Sequence, residues 1–144
     1  MAEHPPLMQN LHKGRSGAGP VDDCVVDGAR PLRLLCLISS LNPVGGGPME
    51  GIRQVTPELA ALGVESTVAC LDDPAAPWLQ AFPCRVEALG EGVGKYRYRR
   101  GLVQPLRELA SQHDLVIVHG LWQYHGLAAW RALHGGATPY WVQT

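Results

Sequence analysis

The stretch RLLCLISSLNPVGGGPMEGI, residues 33–52, changes character twice. It begins as a continuous apolar run, which is typical of a strand buried on both faces of a parallel sheet. Four glycines then fall within seven positions, at 45–47 and 51. Because glycine lowers the stability of helices and strands, this density indicates either a turn that side chains forbid or a ligand that approaches the backbone closely.

The segment after these glycines predicts a helix. Its apolar side chains recur at steps of three and four and so share one helical face: Ile52, Val55, Leu59 and Leu62. Gly63 is a suitable C-cap for that helix. Pro57 leaves two interpretations open, since either the helix bends there or Thr56 is an N-cap and the helix begins at Pro57.

The rest of the chain alternates between predicted strands and predicted helices. Strands are predicted at 33–40, 64–72, 84–89, 114–120 and 138–144, and further helices at 100–112 and 126–134. Continuously apolar strands separated by helices indicate an α/β fold with an open, mostly parallel sheet and helices on both faces. Ligands of such sheets bind at the carboxyl ends of the strands, where the strand order reverses. The glycine loop and His119, at the end of the fourth strand, are therefore expected to be neighbours.

Residues 1–31 differ from the rest in composition. Proline, glycine and charged residues are mixed there without a helix or strand period, so we expect a flexible N-terminal tail followed by one domain over 32–144. The four cysteines have no CxxC spacing, which favours free thiols. No apolar run is long enough for a membrane span or resembles a secretory signal, so a cytoplasmic protein is expected.

The charge and the ligand-type residues exclude two function classes. The chain has 12 Lys and Arg against 13 Asp and Glu, a net charge of −1, so no global field attracts nucleic acid. No cluster of His, Cys, Asp and Glu has metal-ligand spacing, so no metal site is predicted.

The loop glycines Gly45, Gly46 and Gly47 are candidates for holding a phosphate. Consecutive glycines expose backbone N–H groups, and the N-terminus of the following helix favours an anion. A P-loop would continue with Lys and Ser or Thr, whereas Pro48 and Met49 follow here. The nucleotide triphosphatase interpretation therefore fails, while a plain flexible turn remains open.

A dinucleotide-binding loop is a second interpretation of the same glycines. The pattern GxGxxG fits Gly45 and Gly47 but has Glu50 at its third glycine position. Asp72 and Asp73 follow the second strand, where an acid that binds a ribose would lie. An NAD(P)-type oxidoreductase domain is thus an alternative with one mismatch.

The stretch HGLWQYH, residues 119–125, is the second candidate site. His119 is expected to be functional because of its position at a strand's carboxyl end. For His125 a structural role is favoured. Trp122 and Tyr124 are able to wall a sugar or another ring, although packing is the more ordinary role of such aromatics.

The stretch KYRYRR, residues 95–100, interleaves two tyrosines with four cations: Lys95, Arg97, Arg99 and Arg100. A solvated loop leading into a helix is one interpretation. Peripheral contact with an anionic acceptor, or with the inner face of the membrane, is the other.

Three segments in this order resemble the N-terminal half of a retaining glycosyltransferase of the GT-B fold, in the large GT4-type group. They are LNPVGGGPMEGIRQV (41–55), ELAALGVESTVACLD (58–72) and HDLVIVHGLWQYHGLAAWRAL (113–133). The resemblance covers about residues 31–144. It implies a Rossmann-like, acceptor-side domain that is incomplete and stops before a C-terminal domain.

The resemblance also implies an activity and a site. The enzyme would transfer a sugar from a nucleotide-sugar to a glycan or lipid-linked acceptor, as in polysaccharide or glycolipid synthesis, with no cofactor and no metal. The loop at 45–47 would lie close to the donor diphosphate. The acceptor-side wall of the cleft would contain His119, Gly120 and Trp122.

The departures from the family pattern carry an expectation of their own. Family members have a histidine just after the fifth strand and a second domain with paired glutamates, and the 144 residues contain neither. No catalytic residue is assigned, and no transferase activity is expected of this chain by itself. A non-catalytic Rossmann-like module that pairs with a second polypeptide is the remaining alternative.

Overall fold

A computed structural model describes residues 30–144. Its five strands are β1 (Leu32–Ile38), β2 (Val64–Cys70), β3 (Arg85–Ala88), β4 (Leu115–His119) and β5 (Tyr140–Gln143). They form one sheet in the order β3-β2-β1-β4-β5, and every neighbouring pair is parallel. The predicted open parallel α/β sheet is confirmed. The tail predicted for residues 1–31 lies almost entirely outside the described residues.

Helices cover both faces of this sheet, as predicted. They are α1 (Gly47–Ala61), α2 (Val103–Ser111) and α3 (Tyr124–Leu133). Successive side chains of a strand point to opposite faces, and β1 shows both environments. Leu35 and Leu37 pack in the core with α2 and α3, whereas Leu34 and Cys36 pack in the core with α1. Because both faces are buried, β1 is apolar throughout its carboxyl-terminal half.

Helix α1 passes through Pro57 without ending. The interpretation that Thr56 caps a helix beginning at Pro57 is therefore wrong, because the helix begins ten residues earlier. Pro57 is exposed, and so is Arg53, whose carbonyl the missing N–H of Pro57 leaves free. Thr56 is buried and its hydroxyl donates to the carbonyl of Ile52 at 2.7 Å, an ordinary contact inside a helix.

One part of the sheet is less covered than the rest. On the face that carries α1, β4 and β5 have no helix over them among residues 30–144. A mainly apolar cavity of about 730 Å³ lies there between α1 and β4. Trp141 of β5 is 67% exposed.

The cysteines of the described chain are free thiols. Cys36 and Cys70 are buried in the strands, as their apolar surroundings in the sequence predict. Burial raises the pKa of each of these two thiols to about 12, so they are neutral and unreactive. Cys24 lies outside the described residues.

Candidate functional site

The two predicted halves of the site meet at the carboxyl edge of the sheet. β1 and β4 are neighbours, and Ile38 at the end of β1 lies in register with His119 at the end of β4. The strand order reverses here, since the chain leaves β1 toward β2 on one side and β4 toward β5 on the other. The expectation that the glycine loop and His119 are neighbours is confirmed.

A cavity of about 450 Å³ lies between these two strand ends. Four of the six site residues predicted from the sequence line it: Gly45, Gly46, His119 and Gly120. Gly47 lines the adjoining apolar cavity instead. Trp122 lines neither of them. The roles suggested for these residues remain predictions.

The glycine loop has a defined shape. Asn42 caps a short 3-10 helix, Pro43–Gly45, by accepting from the N–H of Val44 at 3.0 Å. Gly46 then has φ +76°, a conformation that side chains rarely adopt, and α1 begins at the next residue. The turn itself therefore requires glycine at position 46.

The other two loop glycines are not explained by packing against residues 30–144. Within that part of the chain, a Cβ placed on Gly45 or on Gly47 would have no neighbouring atom within 4 Å, and neither residue has a positive φ. Of the two explanations for the glycine density, the turn thus accounts for one position, and an approachable backbone fits the other two.

The N-terminus of α1 faces the same region without a side-chain cap. N–H groups in the first turn of a helix lack partners within the helix and favour a negative charge. The helix supplies one carboxylate of its own, because Glu50 lies in its first turn. Hydrogen bonds from Arg53 and then from Gln54 lower the pKa of Glu50 to about 2, so it is ionised at neutral pH.

A buried carboxylate fixes the chain between β1 and the glycine loop. Asp72, 3% exposed, accepts from the hydroxyl of Ser40 at 2.6 Å and from the backbone N–H of Leu41 at 2.7 Å. It also pairs with the guanidinium of Arg97 at 3.0 Å. With its oxygens occupied in this way, Asp72 is not available to a ribose, and the adjacent Asp73 is exposed.

Arg97 does not lie on the surface, contrary to both interpretations of KYRYRR. It is the one non-glycine residue of the described chain with a positive φ, 56°. Its side chain is 22% exposed and donates from Nη2 to the carbonyls of Leu71 and Ser39 as well as to Asp72. No pattern in the sequence predicts this pairing, because the two charges are 25 residues apart. The other three cations of the stretch are exposed.

His125 has the structural role favoured for it. It is 1% exposed, and its Nε2 lies 2.8 Å from the backbone oxygen of His119, so Nε2 carries the proton and donates. Burial lowers the pKa of His125, although hydrogen bonds to the backbone of His119 and Gly120 oppose this. The imidazole is therefore neutral at pH 7.

His119 presents a neutral imidazole beside the cavity. Burial, followed by the nearby His125, lowers its pKa. Its Nε2 atom is buried without a hydrogen-bond partner among residues 30–144. Such an atom is satisfied only by water or by a polar ligand group.

The two aromatic residues of HGLWQYH behave differently. Tyr124 is 6% exposed and packs against Tyr96 and Tyr98, with ring centroids 5.9 and 4.6 Å apart, so the packing role is confirmed for it. For Trp122 packing is wrong, because this side chain is 88% exposed.

Stability is expected to decrease as the pH falls from about 7 to about 5. The folded chain holds His119 and His125 with lowered pKa values, so the unfolded chain binds more protons in this range, which disfavours folding. Asp114 and Glu50, with pKa values of about 2, lose their contribution only at lower pH, near and below their ordinary values. Urea unfolding at several pH values measures the slope. His125→Gln should make the free energy of unfolding depend less steeply on pH. An unchanged slope would mean that other groups cause the loss of stability.

Another cavity is larger than the one beside His119 but lies at the opposite edge of the sheet. This cavity of about 680 Å³ lies at the amino ends of the strands, lined in part by Arg33, Glu65 and Arg85. Ligands of this fold class bind at the carboxyl ends, so the site is assigned to the smaller cavity. Within residues 30–144, no three His, Cys, Asp or Glu side chains are grouped so that they could hold a metal ion.

Comparison with known proteins gives a family and a fold. Residues 46–144 match the glycosyl transferase 4-like domain. No curated protein matches the chain. A glycosyltransferase from Rickettsia africae ESF-5 is similar with a TM-score of 0.54 and 13% identity over 79% of this chain and 30% of that chain. The C-terminal domain of a Pyrococcus furiosus hydrogenase is similar with a TM-score of 0.52 and 14% identity over 78% of this chain and 92% of that one.

At these identities the two structures show the fold alone, and both agree with a Rossmann-like α/β sheet. The chain spans 30% of the length of the glycosyltransferase that it resembles. The family match is more informative, since it covers more than half of the chain and includes Gly46 and α1, the His119–Gly120 turn and all strands but β1. The chain belongs to the glycosyl transferase 4-like family.

Proposed function

We propose that this chain is the acceptor-side domain of a retaining glycosyltransferase, which moves a sugar from a nucleotide-sugar to a glycan or lipid-linked acceptor. One observation carries the proposal beyond the family match. The open backbone at Gly45 and Gly46 and the imidazole of His119 line the same cavity at the carboxyl edge of the sheet. An anionic leaving group and a hydroxyl acceptor each have a suitable contact there.

The backbone side of the cavity would serve the donor. Sugar transfer leaves a nucleoside diphosphate, whose negative charge grows in the transition state. The N–H groups of Gly45 and Gly46 donate to the carbonyls of Asn42 and Pro43, so the favourable potential would come from the N-terminus of α1, which would stabilise such charge without rearranging. The proposal needs no metal and no cofactor for this step.

The histidine side of the cavity would serve the acceptor. The imidazole of His119 lines the cavity, and its buried Nε2 has no partner among the described residues, so a rotation of the ring toward the cavity would let a hydroxyl of the acceptor satisfy it. Holding that hydroxyl close to the reacting carbon turns a bimolecular encounter into a positioned one. Because the imidazole is neutral, it adds no positive charge next to the donor carbon.

Binding tests the proposal directly on this chain. Nuclear magnetic resonance of the ¹⁵N-labelled protein, titrated with uridine diphosphate, guanosine diphosphate and their sugar conjugates, should shift the amide signals of Gly45, Gly46 and Gly120. Amides at the opposite edge of the sheet, such as those of Arg85 and Ser111, should stay in place. Shifts produced by NADH but by no nucleoside diphosphate would instead support the oxidoreductase alternative, and the absence of any shift at the cavity would support a non-catalytic module.

The chain alone is proposed to be inactive. The cavity is open to solvent. The family resemblance implies that the active site is a cleft between two domains, and this cavity would be one side of it. Water would therefore not be excluded from the reaction in this chain alone. The measurement is release of nucleoside diphosphate from a panel of nucleotide-sugars against a blank without protein. Turnover above the blank would overturn this part of the proposal and leave the binding result unaffected.

A further inference from the structure

Two segments far apart in the sequence form one exposed surface beside the cavity. The backbone N–H of Tyr124 donates to the carbonyl of Tyr96 at 2.8 Å, and the amide of Gln123 reaches the carbonyl of Lys95 at 3.5 Å. The first segment is a tight hairpin in which Val93 and Tyr98 exchange backbone hydrogen bonds of 2.8 and 2.9 Å. We call the exposed side of both segments the hairpin surface; its members are Val93, Lys95, Tyr96, Tyr98, Arg99, Arg100, Leu121 and Trp122.

The hairpin surface exposes a large share of its apolar side chains. Trp122 is 88% and Val93 74% exposed, and Tyr96, Tyr98 and Leu121 are each about half exposed, between 47 and 49%. Isolated apolar side chains on a surface are ordinary, whereas a cluster of them with polar surroundings marks an interaction site. Three of these five side chains are aromatic, and large rings contribute much apolar area per residue.

The charges of the hairpin surface have one sign. Lys95, Arg99 and Arg100 form no ion pair within residues 30–144, whereas Arg30, Arg53 and Arg85 elsewhere on the surface each pair with a carboxylate: Asp114, Glu50 and Glu87, respectively. The only carboxylate in either stretch, 91–100 or 119–126, is Glu91. The two stretches therefore contain three unpaired cations and one carboxylate, although the net charge of the whole chain is −1.

The hairpin surface is also held in place from below. Arg97, the cation of the stretch that points inward, ties the hairpin to Asp72 and to the carbonyls of Leu71 and Ser39. Tyr124 packs under the rings of Tyr96 and Tyr98. The exposed side chains are therefore presented by a fixed base, and little order has to be gained on binding.

We propose that the hairpin surface docks on a lipid bilayer that contains anionic headgroups. Trp and Tyr rings favour the membrane interface, where an apolar body and a polar edge are both satisfied. Unpaired Lys and Arg side chains are attracted to anionic lipids. The proposal goes beyond the proposed function, because docking requires no sugar transfer. It would bring the cavity, which Gln123 and Arg97 also line, close to the membrane plane.

The docking is tested by flotation of the full chain with vesicles. Binding should be at least about tenfold stronger to phosphatidylcholine vesicles with about one third phosphatidylglycerol than to pure phosphatidylcholine, and should weaken as salt is raised. Lys95→Gln with Arg100→Gln should lower binding by roughly tenfold or more. Arg99 is left unchanged because its Nε donates to the carbonyl of Leu89.

The matched control variants lie at the far end of α3. This helix begins at the site and runs toward the opposite edge of the sheet, so Trp130→Ala and Arg131→Gln remove a half-exposed Trp and an exposed Arg away from the hairpin surface. These variants should bind vesicles like the unchanged chain. Equal losses in the control variants, equal binding to neutral vesicles, or no binding at all would each overturn the proposal.

A second measurement follows the orientation of Trp122 without removing its ring. Brominated lipids quench the fluorescence of a Trp that enters the interface. Trp122→Phe keeps an aromatic anchor, so it should bind vesicles within about threefold of the unchanged chain and lose most of the quenching. Quenching that persists in this variant would show that another face meets the lipid, and would overturn the assignment.

Discussion

Replacing Asp72 with alanine is expected to lower the free energy of unfolding by roughly 3–5 kcal/mol, the range for removing one partner of a buried ion pair. The carboxylate is 3% exposed and is the counter-charge of Arg97, whose side chain is 22% exposed. Its removal would leave the guanidinium in a mostly buried position with only carbonyls as partners. It would also leave the hydroxyl of Ser40 and the N–H of Leu41 without their acceptor. Urea unfolding of both proteins measures the difference.

The neighbouring carboxylate is the matched control. Asp73 is exposed, and within residues 30–144 its carboxylate accepts only from the backbone N–H of Ala75, at 2.8 Å, so Asp73→Ala should cost less than about 1 kcal/mol. A second test removes both charges. Asp72→Ala combined with Arg97→Met should cost clearly less than the sum of the two single changes, because the double variant contains no unpaired buried charge. Additive costs would show that the pair does not act as a unit.

The same substitution bears on the site, since Asp72 fixes the residues that lead from β1 into the glycine loop. Ser40 and Leu41 are the anchored residues, and the 3-10 helix Pro43–Gly45 begins two residues later. The position of the loop backbone therefore depends on a charge pair that belongs to neither the loop nor α1.

Much of the fold was predictable because it depends on patterns that are local in sequence. The apolar runs at 33–40 and 114–120 predicted β1 and β4 to within a few residues. The adjacency of the glycine loop and His119 then followed from a rule about parallel sheets rather than from either segment alone. The structural role of His125 was favoured because a lone histidine is more often structural than functional, and its burial agrees with that role.

The features that were not predicted depend on contacts between distant segments. In KYRYRR nothing distinguishes Arg97 from its neighbours, because its positive φ and its partner Asp72 come from the hairpin and from the end of β2. Pro57 has a low propensity for a helix interior, yet the packing of α1 on the sheet outweighs that preference. Packing is the ordinary role of a tryptophan, so burial was the natural prediction for Trp122. Its exposure depends on the turn that follows Gly120.

Gly92→Ala is expected to lower the free energy of unfolding by roughly 2–3 kcal/mol through overpacking. Gly92 is buried under the hairpin, and a Cβ there would lie 2.7 Å from the carbonyl carbon and 2.9 Å from the Cα of Arg97. These are backbone atoms, which a rotamer change does not move. The hairpin would have to shift outward, and the contacts of Arg97 with Asp72 and with the carbonyl of Leu71 would weaken.

Gly94, in the same hairpin, is the matched control. If backbone strain decided the cost, Gly94→Ala would destabilise the chain more than Gly92→Ala, whereas overpacking predicts the reverse. Gly94 has φ +69°, which disfavours a side chain, but a Cβ there would meet no other atom of the described residues within 4 Å. Gly94→Ala should therefore cost only about 1 kcal/mol, the strain of the left-handed conformation. Because Gly92→Ala acts through Arg97, its cost should shrink in the Asp72→Ala background. A larger cost for Gly94→Ala, or a cost of Gly92→Ala that is unchanged in that background, would mean that the hairpin is not anchored through Arg97.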